Sequence, residues 1–469
     1  MAYMVVEEFS LGMDLRRGPV TASPKSARLI KNGFVNAGGE IEKRKAFTLV
    51  SDQLTGTFGL GSLGLGIYVF GPNARPATLP GWLGYQQLVG GLAFWLRVSD
   101  VEVFADKFYV VVEKTLNVYE HYYNGVLVAG APNSATVTAH RSKMYAVNGS
   151  VAYFSALNNP TDWVTGGGAT DAGYIQLDGH DAGSVNLIGM ATYYDQLALF
   201  SRASVQLWAM DEDPSQNQLI QTIGGTGLAA HQGLARYSSG DVLFMHDSGV
   251  RSLKARDQSN AASVSDIGSP MDQEIRALIQ QAIREDPNNP VPQILKPSKG
   301  VVDPNTGQFW LNILDHIYVL SLSPSANIVA WSRFDPGFVV GYMITVGSLL
   351  IVRSENNLYS YGNGSAETYD TSELEVILPM IAGNEPATDK LFTGMDAAVE
   401  GTWVFEVGTD VQQPDVKELV ATVTGATFGM QNLGLQNFGT HIGIRARCSD
   451  AARARLSNIM IHYNKGAEG

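Results

Sequence analysis

Four features of the sequence have residue types suited to chemistry, and each lacks a part that the chemistry needs. Gly59-Leu60-Gly61-Ser62-Leu63-Gly64 matches the G-x-G-x-x-G of dinucleotide sites. That motif works only between a strand and a helix, where helix N–H groups meet the pyrophosphate. Here Gly66 and the strand-like Ile67–Phe70 follow, so no cofactor site is expected. Asp211-Glu212-Asp213 with Ser215 and Asn217 spaces oxygen ligands as a calcium loop does. Gln216 and Thr222 stand where such a loop has Gly and Glu, so a solvated loop is expected. The eight histidines include no H-E-x-x-H and no pair at helical spacing, so no metal site is expected. His316, His441 and His462 read as hydrogen-bonded structural residues.

There is also no G-x-S-x-G, and Cys448 alternates inward on a strand, where a thiol acts as a small hydrophobe. A carboxylate pair assembled by the fold, as in propeller glycosidases, is not visible from spacing. The S-x-D-x-G-x-x-W box of many sialidase propellers is absent. No catalytic, cofactor-binding or metal-binding residue is assigned, and no enzyme activity is expected.

The elements that would carry any site are more legible. Six times an apolar run, a short polar or Gly segment and a second apolar run follow one another. The pairs are 108–112/116–119, 144–147/151–154, 197–200/205–208, 242–245/250–253, 309–314/317–320 and 349–352/358–361. Each is a hairpin signal, strongest at Asn148-Gly149, where both residues tolerate the positive φ of a type I′ turn. A recurrence of roughly 35 to 65 residues suits blades of about four strands. Small sheets that cannot bury a face alone must stack around an axis. The fold expected is mainly β: a β-propeller of six or seven blades over 47–370.

Composition fits that shape. Charged residues are only 16% of 469, and hydrophobic residues 45%, which suggests surface hidden in a large core or against partner subunits. One cysteine excludes an intrachain disulfide framework and fits a reducing compartment. The first nine residues lack a basic region followed by an apolar one, so no secretory signal is expected. The best uncharged candidate for a membrane span, 336–352, is broken by three glycines and reads as two buried strands instead. A net charge of −13 argues against a broad nucleic-acid grip, although not against a wall past which DNA slides.

Four regions depart from the repeat. Residues 1–46 form a basic arm, with Arg16, Arg17, Lys25, Arg28, Lys31, Lys43, Arg44 and Lys45 between positions 16 and 45. Such an arm either docks on an acidic surface or is simply solvated. From Gln53 to Leu96 the only charge is Arg75, a composition expected in a subunit interface or core, or else on a membrane. A helix is predicted from an N-cap at Ser269, with Pro270 first and Met271, Ile275, Leu278, Ile279 and Ala282 on one face, ending before Asp286-Pro287. Beyond 370 the strands lengthen. In 442–448, Ile442, Ile444, Ala446 and Cys448 alternate with Gly443, Arg445 and Arg447, one apolar face against one basic. Residues 371–469 are therefore expected to form a C-terminal β-sandwich-like platform module.

The leader Leu29-Ile30-Lys31-Asn32-Gly33-Phe34 with Gly39-Glu40-Ile41-Glu42-Lys43-Arg44 resembles the opening of tail nozzle or tail hub proteins of short-tailed bacteriophages, also called packaged-DNA stabilisation proteins. Tyr153-Phe154-Ser155 before Asn159-Pro160-Thr161-Asp162-Trp163 is similar to them too. So are Tyr194–Ser201 leading to Val205–Trp208, and the ending 442–463. The resemblance implies a homohexameric ring in the virion tail, assembled in the host cytoplasm. That ring would extend the DNA channel below the portal or head-to-tail adaptor protein, retain the packaged genome and conduct it during ejection. It would carry tail fibres, spikes or a plug, and double-stranded DNA would pass without specific binding. The family has no catalytic signature to transfer. The alternative is a propeller-type carbohydrate-active or receptor-binding tail protein.

Overall fold

The computed structural model describes residues 2–91, 95–177, 186–237, 240–259, 267–285, 298–363, 367–383, 385–428 and 433–465. Six small sheets and one end of a larger sheet stand as blades around one axis, and all six predicted hairpins lie within them. The innermost strands are Phe58–Leu63, Arg97–Phe104, Val137–His140, Leu187–Tyr193, Leu234–Arg236, Ser298–Val302 and Tyr342–Val346. Each packs against the next, and the seventh packs against the first, so the chain is a seven-bladed propeller. Phe47–Ser51 pairs with Asn357–Tyr361 as the outermost strand of the seventh blade, closing the ring without a covalent bond.

Individual blades depart from the simple repeat for local reasons. At the strongest turn signal only Gly149 has positive φ (60°), while Asn148 still pairs with Val151. Gly149 is thus the first central residue, as in a type II′ turn rather than the expected type I′. The uncharged segment builds the first blade, whose third strand, Gly84–Gln87, runs parallel to Gly66–Gly71. Leu54, Leu60, Val69, Phe70 and Leu83 are buried there, yet Leu65 stays 85% exposed and Trp82 53%. The uncharged 336–352 stretch supplies Tyr342–Val346 and the start of Leu349–Ser354, with Met343, Leu350 and Val352 buried.

The fifth blade has three strands followed by helices. Leu253–Ser259 was not foreseen; Asp272–Glu285 was, but Gly268 is the cap and Ser269 opens a 3-10 turn instead. Met271, Ile275 and Ile279 face the core as predicted. Asp286, Pro287 and the segment up to Pro297 lie outside the described residues. No helix of the described residues is long and apolar enough to cross a membrane.

The remaining strands form two facing sheets drawn from both ends of the chain. One has the order Leu433–Gly439, Lys390–Glu400, Arg455–Lys465, Ile41–Lys43, Gly33–Val35, with Ala2–Val6 also paired to Arg455–Lys465. The other runs Leu29–Lys31, Leu374–Ile377, Gly443–Cys448, Thr402–Gly408, Glu418–Thr424. It is continuous with the sixth blade, because Lys31 pairs in parallel with Arg333 on Ile328–Phe334. Val376, Ile444, Phe405, Met395, Phe392 and Ile461 fill the space between the sheets. Residues 2–43 therefore do not stand apart as an arm: their strands are woven into the platform sandwich.

Candidate functional site

In the G-x-G-x-x-G match, Gly59 and Gly61 are there for packing and Gly64 for a positive-φ turn (58°). A Cβ on Gly59 would lie 2.7 Å from Val98, and one on Gly61 would lie 2.9 Å from Phe108. They let the first inner strand press against the second blade, and Gly66 opens the return strand of a hairpin. In the Asp211 loop the carboxylates turn onto their own backbone. Asp211 accepts from the Asp213 N–H at 3.0 Å, and Asp213 caps the 3-10 turn Pro214–Gln216 by accepting from Ser215 at 2.9 Å. Among the described residues, no three His, Cys, Asp or Glu converge on a metal-sized space.

The histidines serve as ties. His462 Nε2 meets Asp396 Oδ2 at 2.8 Å, and His441 Nδ1 lies 2.8 Å from the Thr440 hydroxyl. His316 Nδ1 meets Asp335 Oδ1 at 2.8 Å, and that bond holds its pKa above the ordinary value against the opposing effect of burial. His121 sits between the Tyr109 hydroxyl and the Ser134 carbonyl, and burial pushes it down to about 4. Cys448 is buried opposite Leu374, with its thiol pushed up by burial.

The basic residues are not a basic surface. Arg445 pairs with Glu375 at 2.6 Å and with Glu406 at 3.5 Å; Arg447 pairs with Glu406 and Glu373. Lys31 extends this ladder, 3.8 Å from Glu375. A second cluster joins Arg453 and Arg455 to Glu42, with Glu40 and Glu400 also facing Arg455. Arg44, fully buried, pairs with Asp370 at 2.9 Å, and Lys45 pairs with Glu367 at 3.0 Å. Burial acts to raise Asp370, but Arg44 and hydrogen bonds from Ser372 hold its pKa below the usual range. Lys43, also fully buried, donates to the Asp370 and Asp450 carbonyls, and burial lowers its pKa. The arm thus docks on acids and carbonyls of its own chain. A period-two signal for this was present in Glu373-Leu374-Glu375-Val376, whose acids face the arginines while the aliphatics face the core.

At the propeller axis a bulge between Val98 and Asp100 leaves Ser99 without a cross-strand partner. Ser99 Oγ donates to the Ala135 carbonyl at 2.6 Å and lies 3.2 Å from His231 Nε2. Gln232 Nε2 donates to the Ser99 carbonyl. Ser99 is wholly buried with its proton on a carbonyl, so this Ser–His pair is a pin joining the second blade to the entry of the fifth, not a nucleophile and base. Beside it lies a cavity of about 210 Å³ lined by Ser62, Asp100, Glu102 and Tyr342 among others. Asp100 is held by the Thr136 hydroxyl at 2.7 Å and the Val137 N–H at 3.0 Å. Sequence reasoning missed the pin because a Ser and a His so far apart carry no spacing signal.

No protein-family model matches the chain, and no curated protein does. Solved structures match the chain at low identity and low TM-score. One is BamB from Moraxella catarrhalis, 7% identical, with 67% of this chain and 97% of that one covered at a TM-score of 0.35. Another is a protein from Lactobacillus plantarum, 10% identical, covering 74% and 90% at 0.35. The chain is a propeller-type protein, and the strand pairing described above carries that assignment by itself.

Proposed function

We propose that the chain is a non-enzymatic structural protein of the virion, the protomer of a tail nozzle ring in a short-tailed bacteriophage. The observation that carries this reading is the continuity of platform and propeller. One sheet runs unbroken from the sixth blade into a sandwich tied to both ends of the chain. Such a block suits a ring that must stay in register under internal pressure. The pinned axis supports the same reading. A cavity of about 210 Å³ cannot pass a duplex whose major groove alone is about 12 Å wide, so a conduit must lie between copies, not inside one propeller. The arginines of the C-terminal strands are paired with glutamates, which fits a wall that does not retard DNA. In this reading six copies form the ring, the platform meets the portal or adaptor, and the propeller points toward fibres, spikes or a plug.

Images of the purified protein, alone and added to tailless particles, are expected to show rings. Monomers under both conditions would overturn the reading. The ring is also expected to bind double-stranded DNA no more tightly than the ~10⁻⁴ to 10⁻⁶ M of non-specific contacts at physiological salt.

A receptor-binding propeller is the second reading, favoured by one cleft. About 250 Å³ is lined by Asn117, Asn133, Asn148, Asn186 and Tyr119, amides and a phenol suited to sugar hydroxyls. Saturable glycan binding lost on Tyr119→Ala, without ring formation, would favour it.

A further inference from the structure

The first platform sheet has two open edges, Ala2–Val6 at one end and Leu433–Gly439 at the other. Among the described residues, no strand pairs with the second side of either. Long edge strands are usually guarded by lysine, proline or inward charges, since unpaired backbone groups recruit other strands. Neither Ala2-Tyr3-Met4-Val5-Val6 nor Leu433-Gly434-Leu435-Gln436-Asn437-Phe438-Gly439 contains a charge or a proline. The corresponding edge of the second sheet differs, since Lys417-Glu418 opens it.

Polarity makes the two edges complementary. Ala2–Val6 is antiparallel to Arg455–Lys465, which is antiparallel to Lys390–Glu400, which is antiparallel to Leu433–Gly439. Three reversals leave the two edge strands running in opposite directions. A second copy related by rotation about an axis along the strands therefore presents its 433–439 edge antiparallel to the 2–6 edge of the first.

The faces match as well. Met4, Ile461 and Met395 share a register row and are buried. The alternate positions face outward, leaving Tyr3 65% exposed at one edge and Phe438 62% exposed at the other, with Leu391 beside Phe438. The register row Tyr3–His462–Gly394–Gly434 means that an antiparallel joint would put Tyr3 opposite Gly434 of the neighbouring copy, with Phe438 further along the same outward face.

We infer that copies of this chain join head to tail by adding the 2–6 strand of one platform to the 433–439 strand of the next, giving a sheet continuous around the ring. The occupant is a second copy rather than a foreign strand because the chain carries both halves of the joint, with opposite polarity and like faces. Such a joint is heterologous and closes only as a ring. The inference rests on the nozzle reading and specifies its interface.

The test is a cysteine pair. Cys448 is buried and leaves little background reactivity. Under mild oxidation, the double variant Tyr3→Cys/Gly434→Cys should give a reductant-sensitive ladder of multimers, while each single variant should stay monomeric on a non-reducing gel. Separately, Phe438→Lys should raise the concentration for half-maximal ring formation by about tenfold or more while leaving the melting curve unchanged. Either result supports the joint. Rings that form normally with neither a ladder nor a Phe438→Lys effect place the contact elsewhere, and leave the nozzle reading standing. If no rings form, free or on tailless particles, both fall.

Discussion

The propeller and the platform use the same strands and similar side chains, but they are assembled on different scales. Apart from the seventh, which the 47–51 strand closes, each blade is a run of neighbouring strands whose pairing is settled within a short stretch of chain. The platform pairs residue 2 with residue 463, residue 31 with 375 and residue 42 with 455. Their polar interiors differ in the same sense. The propeller buries local ties such as Tyr109–His121 and Asp100–Thr136. The platform buries Lys43 on the Asp370 and Asp450 carbonyls, and Arg44 against Asp370, linking segments far apart in sequence. A structure held by distant partners is cooperative: removing either end removes a layer.

The severest way to break the comparison is to delete residues 2–46. The loss takes four platform strands, the Lys43 and Arg44 anchors and half of the second ion cluster. The remaining strands then lack a covered core, and stability of the typical 5–15 kcal/mol scale does not survive such a loss. Limited proteolysis is expected to digest residues 371–465 while a propeller-sized fragment persists. A protease-resistant platform in the truncated protein would contradict the interdependence.

Next in size is Trp331→Ala. Trp331 is fully buried on the strand shared by the sixth blade and the platform, and its indole N–H donates to the Ile267 carbonyl at 2.8 Å. The expected cost is about 3–5 kcal/mol. If blade and platform are one cooperative unit, calorimetry should show their transitions falling together. A drop confined to one transition would separate them.

This contrast also explains what could be read from the sequence. The blades were legible because a hairpin's partners are neighbours, so the alternation in 144–147 and 151–154 already contains the pairing. The platform strands 374–378 and 442–448 were legible as elements, and the inward face of Ile442, Ile444, Ala446 and Cys448 is as expected. Their partners were not, because nothing local in Leu29-Ile30-Lys31 says it lies between a propeller blade and Leu374–Ile377. The basic face of Arg445 and Arg447 looked uncompensated for the same reason: Glu373, Glu375 and Glu406 sit on other strands. The axial pin needs a bulge and a turn on opposite blades, and no pattern within one window encodes it.

A smaller effect, limited to the propeller, is expected from Arg353→Met. Arg353 is buried, has no carboxylate partner among the described residues, and donates to the carbonyls of Thr57 at 2.6 Å, Gly59 at 2.9 Å and Glu355 at 2.8 Å, clamping the seventh blade to the first. Burial lowers its pKa to about 10, so it keeps its charge at neutral pH. Methionine fills the space but leaves those carbonyls unmet, at a cost of about 1–3 kcal/mol. Hydrogen exchange should rise at 57–63 and 349–354 and stay unchanged in 390–400. Equal loosening of both regions would mean that the clamp couples to the platform after all.

The smallest effect is the most discriminating, because it lies at the junction of the two regions. His316, on the sixth blade, pairs with Asp335, whose N–H donates to Asn32 Oδ1 of the platform at 2.9 Å. Arg333, Asp315 and Lys31 also face this pair. The pKa of His316 is raised, chiefly by the Asp335 bond, so its contribution is fully present below the unfolded value of about 6.5 and is lost as pH rises through the folded value. Asp335 is held low by His316 and Arg333 against burial, so its share is present above about pH 3.9 and fades on further acidification. The pair therefore stabilises most between about pH 4 and 6.5. His316→Gln should lower stability by less than about 1 kcal/mol at pH 5.5, because the site is partly solvated, and by still less at pH 8.5. In an Asp335→Asn background that pH dependence should shrink. A His316→Gln effect that is equal at both pH values would mean that the ring acts there by packing alone. An effect that is larger at pH 8.5 would mean that neutral histidine is the form the junction holds.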